Sequence, residues 1–121
     1  MQMKVGRHFE FEASHKLPDE EVYGECSNLH GHRYELDIEV TGKVGKEGWV
    51  CNFSELKEIV QSRILGKFDH AYLNNYFEIP TAENMVIYID EVLAKELADK
   101  NYKVSRIRLH ETSKCYAEIA K

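Results

Sequence analysis

Prolines are scarce in this chain of 121 residues, two in all, and glycines number only seven. With 43% hydrophobic and 31% charged residues, that shortage excludes collagen-like, low-complexity and disordered classes. No apolar stretch exceeds a few residues, so no helix is expected to span a bilayer and no membrane partner is expected. Positive charge is in deficit: 16 Lys and Arg against 21 Asp and Glu leave a net charge of −5. The chain as a whole therefore lacks the basic footprint of a nucleic-acid binder. Its first residues lack the apolar segment of a secretory leader. Cysteines are few and odd in number: Cys26, Cys51 and Cys115. No disulfide framework is expected, and a reducing cytoplasm is the expected location. The length suits one domain, residues 1–121, burying roughly two thirds of its unfolded surface. So small a core leaves little room for a deep private pocket, and a site for a sizeable ligand is expected to be shared between subunits.

What is present is patterned. Phe9, Phe11, Ala13 and His15 alternate with Glu10, Glu12 and Ser14, which predicts a strand over His8 to His15. A polar stretch from Lys16 to Leu29 reads as a long loop, a length that marks function or disorder. His30, His32, Tyr34, Leu36, Ile38 and Val40 share one face of a second strand, His30 to about Thr41. Gly42, Gly45 and Gly48 mark a turn region. Asn52 and Glu55 have capping-box spacing before a helix whose stripe is Leu56, Ile59, Val60 and Ile64, ending at Gly66. Residues 67–79 read as a loop. Thr81 is the expected N-cap of a second helix carrying Met85, Ile89, Val92, Leu93 and Leu97, with Glu83 favourable in its first turn. Ile107, Leu109 and Glu111, then Cys115, Ala117 and Ile119, alternate as a closing hairpin. The order ββααββ predicts an α+β fold, a four-stranded antiparallel sheet with two helices on one face.

The histidines carry the chemistry. His30 and His32 stand one residue apart on a strand, so their rings point the same way. If the first two strands pair antiparallel, His15 joins them at one sheet edge. Three imidazoles with a fourth position open make a catalytic zinc site; three unrelated histidines are the alternative. Cys26, four residues before His30, becomes a base or nucleophile near neutral pH if it lies beside a metal. Otherwise it is an ordinary buried thiol, which is the reading for Cys115; Cys51 receives no role. Glu25 is a second acid/base candidate, or a solvated carboxylate. Asp69 and His70 read either as a proton relay or as turn residues. Glu111 reads either as a carboxylate paired with a ligand's adjacent N–H groups or as a turn residue in water.

Five motifs occur in order: Phe11-Glu12-Ala13-Ser14-His15, Cys26-Ser27-Asn28-Leu29-His30-Gly31-His32, Phe68-Asp69-His70, Pro80-Thr81-Ala82-Glu83-Asn84 and His110-Glu111-Thr112. Together they resemble the 6-pyruvoyl-tetrahydropterin synthase family. The spacing of Cys26 and His30 is similar to its bacterial branch, the 6-carboxy-5,6,7,8-tetrahydropterin synthases of queuosine biosynthesis. The resemblance implies a tunnelling fold whose sheets join in a multi-subunit barrel, typically a homohexamer of two trimers with interfacial sites. It implies one zinc per subunit on His15, His30 and His32, with Cys26 as general base. Asp69 and His70 would be a relay from a neighbouring subunit, and Glu111 would anchor the pterin ring, with Thr112, Thr81 and Glu83 lining its pocket. The implied substrate is 7,8-dihydroneopterin triphosphate, and the implied products are 6-carboxy-5,6,7,8-tetrahydropterin, acetaldehyde and triphosphate. Lys16 and Lys114 are candidates for holding the triphosphate. Alternatives are a 6-pyruvoyl-tetrahydropterin synthase or a folate-type side-chain cleaver, the latter suggested by Glu25 beside Cys26. Outside catalysis, the alternatives are a pterin- or zinc-binding module and a structural zinc protein with Cys26 as fourth ligand. One departure is Asn52 before Phe53, where the family usually carries Asp.

Overall fold

The computed structural model describes residues 1–121. Two long strands dominate it: β1 (Gln2–His15) and β2 (His30–Lys43) pair antiparallel along their whole length, with His15 opposite His30 and Ala13 opposite His32. β1 begins six residues earlier than the alternation suggested, because the ladder with β2 continues past the part that reaches the core. The stretch between them is not bare loop. It holds one helical turn, α1 (Glu20–Tyr23), capped by the Asp19 side chain, and a 3-10 turn over Gly24–Ser27.

Helix α2 (Phe53–Val60) starts at Asn52, whose side chain accepts the Ser54 N–H at 2.8 Å. The capping box is only half made. The Glu55 carboxylate accepts from the Tyr102 hydroxyl at 2.7 Å and pairs with Lys100 at 3.2 Å, tying the helix to the sheet. Asn52→Ala should cost about 1 kcal/mol, read as a lower urea midpoint at unchanged m-value.

The helix does not stop at Gly66. It passes through a π-helical turn, Gln61–Leu65, into α3 (Gly66–Phe68). A Cβ on residue 66 would lie 3.1 Å from the Gln61 carbonyl oxygen, so glycine closes the wide turn rather than ending the helix. That extra turn delivers Phe68 fully buried against Phe11, Tyr76, Phe77 and Tyr88. Next, β3 (Ala71–Tyr72) pairs parallel with β1, and a 3-10 turn covers Leu73–Asn75. Thr81 caps α4 (Ala82–Glu96), accepting the Asn84 N–H. β4 (Tyr102–Thr112) and β5 (Cys115–Ala120) close the chain as the expected hairpin.

The sheet therefore has five strands, ordered β3-β1-β2-β4-β5, rather than four. The fifth is too short to show as alternation. Met85, Ile89 and Leu93 of α4 and Leu56, Val60 and Ile64 of the α2 region share one core with Phe9, Phe11, Leu36, Ile38, Ile107 and Leu109. No helix is long and apolar enough to cross a membrane. Cys115 is exposed at the start of its edge strand, correcting its reading as a buried thiol; Cys51 is the buried one.

Candidate metal and catalytic site

The core face of the sheet ends in histidine. His15 is fully buried, while His30 and His32 are partly exposed, and their ring centroids lie 4.5–5.1 Å apart. One nitrogen of each comes within 4.8 Å of the others.

Backbone carbonyls orient two of the rings. His15 Nδ1 lies 2.7 Å from the Pro80 carbonyl oxygen, and His30 Nδ1 lies 2.7 Å from that of Asn28. A carbonyl only accepts, so each Nδ1 carries the proton and, in the neutral ring, each Nε2 carries a lone pair. Those two Nε2 atoms face each other at 2.9 Å. His32 Nε2 is buried without a hydrogen-bond partner. Converging lone pairs and an orphan nitrogen suit a shared cation, and an all-imidazole set suits zinc.

Glu111, at the end of β4, places Oε1 3.3 Å from both His15 Nε2 and His32 Nε2. The His15 contact holds the Glu111 carboxyl below its ordinary range, against the opposing effect of burial. Burial disfavours the His15 cation, yet Glu111 and the Pro80 carbonyl outweigh it and raise that imidazole. Burial lowers His32. Tyr34, stacked on Phe11 at 4.9 Å, keeps a buried hydroxyl without a partner, and burial pushes it up.

Cys26 sits exposed in the 3-10 turn before β2. Its carbonyl accepts the Leu17 N–H at 2.8 Å, fastening this turn beside the end of β1. Thr81 and Glu83 open α4 directly after the Pro80 carbonyl that orients His15. Thr112 Oγ1 accepts the Lys114 N–H in the β4–β5 turn. Asn74 grips the Lys16 backbone through both its N–H and its carbonyl, a contact no sequence pattern announced.

Asp69 and His70 are paired at 3.0 Å, but no hydrogen bond or ion pair joins them to the three histidines. Asp69 accepts the Glu12 N–H, and His70 sits at φ 60°, a left-handed conformation uncommon for any residue with a Cβ. His70 lines a shallow cavity of about 450 Å³ with Glu12, Ala13, Ser14, Gly31, His32 and Arg33. Of these, Glu12, Ser14, Gly31 and Arg33 have the opposite parity to His15, His30 and His32 and belong to the other face of the sheet. A cavity of about 530 Å³ lies at the far end of the sheet beside Gly42 and Leu97. Two of its lysines, Lys100 and Lys121, are already paired with Glu55 and Asp90.

A second histidine group lies on the charged face. His8 Nδ1 is 2.7 Å from Asp37, and Nε2 is 3.3 Å from Glu35 and 3.7 Å from Glu10. The Asp37 hydrogen bond chiefly raises His8 above its ordinary 6.5. A raised folded value means that the stabilisation is complete below 6.5 and fades as pH climbs through the folded pKa. The urea-midpoint difference between wild type and His8→Gln should therefore shrink from about pH 5.5 to about pH 8.5. The effect is small, since His8 is half exposed.

Comparison with known proteins bears on the fold and the family. The sequence profile described as 6-pyruvoyl tetrahydropterin synthase matches residues 4–121. An Archaeoglobus fulgidus protein, provisionally named 6-carboxy-5,6,7,8-tetrahydropterin synthase, is 38% identical over 98% of this chain and 96% of its own. The Haemophilus influenzae 6-carboxy-5,6,7,8-tetrahydropterin synthase is 32% identical over 95% and 96%. The Caenorhabditis elegans 6-pyruvoyl tetrahydropterin synthase structure superposes with a TM-score of 0.88 at 26% identity, covering 100% of this chain and 96% of that one.

Proposed function

The chain belongs to the 6-pyruvoyl tetrahydropterin synthase family, and from that premise we propose that it is a zinc-dependent lyase of queuosine biosynthesis. It converts 7,8-dihydroneopterin triphosphate and water to 6-carboxy-5,6,7,8-tetrahydropterin, acetaldehyde and triphosphate. The observation that carries this reading is the meeting of His15, His30 and His32 nitrogens, two of them with tautomers set by backbone carbonyls.

His15, His30 and His32 hold one zinc per subunit. When bound, zinc supplies Lewis acidity to the oxygens of the substrate side chain. Cys26 takes a proton from side-chain carbon, and Asp69 with His70 carries protons to and from oxygen. Glu111 accepts hydrogen bonds from the pyrimidine edge, while Thr81, Glu83 and Thr112 line the ring pocket. Lys16 and Lys114, both exposed, are the cations offered to the triphosphate.

The absence of any bond from Asp69 or His70 to the three histidines supports a shared site, with the relay serving another subunit's zinc. We read the assembly as a hexamer of two trimers joined into barrels, working in the cytoplasm without nucleic-acid or membrane partners. A second reading, 6-pyruvoyl tetrahydropterin synthesis, is favoured by the Dictyostelium discoideum 6-pyruvoyl tetrahydrobiopterin synthase, 34% identical over 78% of this chain and 80% of its own.

Mass spectrometry of the products from zinc-loaded protein and 7,8-dihydroneopterin triphosphate tests the proposal. A 6-carboxy-tetrahydropterin product is expected. A 6-pyruvoyl product would move the chain to the second reading, and intact substrate would remove the enzymatic one.

A further inference from the structure

We propose that Asn74 is a positioning residue for the Cys26 thiol. The inference rests on the reading of Cys26 as general base and deepens it. β3 pairs parallel with β1, Ala13 opposite Ala71 and Ser14 opposite Tyr72. Two residues further on, that register sets Lys16 opposite Asn74, but the backbone has already entered the 3-10 turn Leu73–Asn75. The Asn74 side chain takes over. Its carbonyl oxygen accepts the Lys16 N–H at 3.0 Å, and its amide N–H donates to the Lys16 carbonyl at 2.8 Å. A carboxamide carries the donor and the acceptor of a peptide group, so the ladder gains one more rung where no strand remains. Asp in this place would lose the donor, and Leu would lose both.

That rung fixes the chain between two functional groups. His15 precedes Lys16 and is held separately, by the β1–β2 ladder and by the Pro80 carbonyl. Leu17 follows, and its N–H donates to the Cys26 carbonyl at 2.8 Å. The Cys26 turn is otherwise closed on itself: the Ser27 hydroxyl donates to the Gly24 carbonyl, and the Asn28 N–H to that of Glu25. Those bonds shape the turn without placing it. Its place beside the histidines is set through Leu17 on one side and through the chain entering β2 at His30 on the other. Freeing Lys16 therefore displaces the thiol and leaves the metal ligands where they are. Lys16 is exposed, so water replaces the two lost bonds and the fold survives. What is lost is position, and a misplacement of about 1 Å can cost about 10²-fold in rate.

The test is a double-mutant cycle on the full-length, zinc-loaded protein: wild type, Asn74→Ala, Cys26→Ala and the double variant, each checked for zinc content and cooperative unfolding. Asn74→Ala should lower kcat about 10- to 100-fold, with KM within about twofold and zinc content unchanged. In the Cys26→Ala background the same change should lower kcat by less than about twofold, because its effect passes through the sulfur. A readout without turnover stands beside it: the rate at which iodoacetamide alkylates Cys26, followed by peptide mass spectrometry with exposed Cys115 as internal reference. Asn74→Ala should change the Cys26 rate by at least about threefold and leave that of Cys115 alone. Unchanged kcat with an unchanged Cys26 rate, or the same fold loss in both backgrounds, would overturn the role of Asn74. Full turnover by Cys26→Ala would overturn the general-base reading, and the alkylation rates would then decide by themselves whether Asn74 positions the thiol.

Discussion

Cys26→Ala is expected to lower turnover by about 10²–10⁴-fold while leaving bound zinc at its wild-type level, the range set by loss of one acid–base group. The thiol is exposed in a 3-10 turn, and the turn is fastened through its backbone, by the Leu17 N–H on the Cys26 carbonyl. Removing the sulfur leaves that bond in place, so stability should change by less than about 0.5 kcal/mol. Steady-state kinetics beside metal analysis checks both halves. A variant that loses its zinc together with its activity would make Cys26 a ligand, as in a closed structural site.

His30→Ala should have the larger effect. His30 supplies one of the three converging nitrogens, and its Nδ1 is held by the Asn28 carbonyl. Loss of an outer partner of a metal ligand already costs about 10–100-fold in affinity, so loss of the ligand itself should exceed that and take turnover to background. His30 is the better probe than His15. Replacing fully buried His15 would also open a cavity and leave the Pro80 carbonyl unpaired, mixing a folding defect with metal loss. Metal content by elemental analysis, beside an unchanged far-ultraviolet dichroism spectrum, separates the two causes.

Much of this arrangement was legible in residue order because its causes are local. Alternation from Phe9 to His15 and from His30 to Val40 assigns each side chain to a face, and antiparallel pairing then brings His15 opposite His30. Asn52 and Thr81 announced two helix starts through their own short side chains. The rest depends on partners distant in sequence. Glu55 completed no capping box because Tyr102 and Lys100 hold its carboxylate, and both arrive 45 or more residues later. Gly66 looked like a stop, yet its missing Cβ admits the wide turn that places Phe68. β3 has two residues, too few for a period to register. Pro80 and Asn28 act through carbonyl oxygens, which every residue possesses and no side-chain pattern reveals. The place of Glu111 beside the histidines follows from β2–β4 register, a non-local pairing. The Asp69–His70 motif was plain, but only the fold shows that no hydrogen bond or ion pair joins it to the three histidines.

X-ray absorption at the zinc edge of the loaded, substrate-free protein tests the central claim most directly. The account predicts one zinc per chain with nitrogen and oxygen neighbours only, at about 2.0–2.1 Å, and the multiple-scattering pattern of three imidazoles. A sulfur neighbour at about 2.3 Å would make Cys26 a ligand instead of a base, and a chain that takes up no zinc would contradict the account at its root.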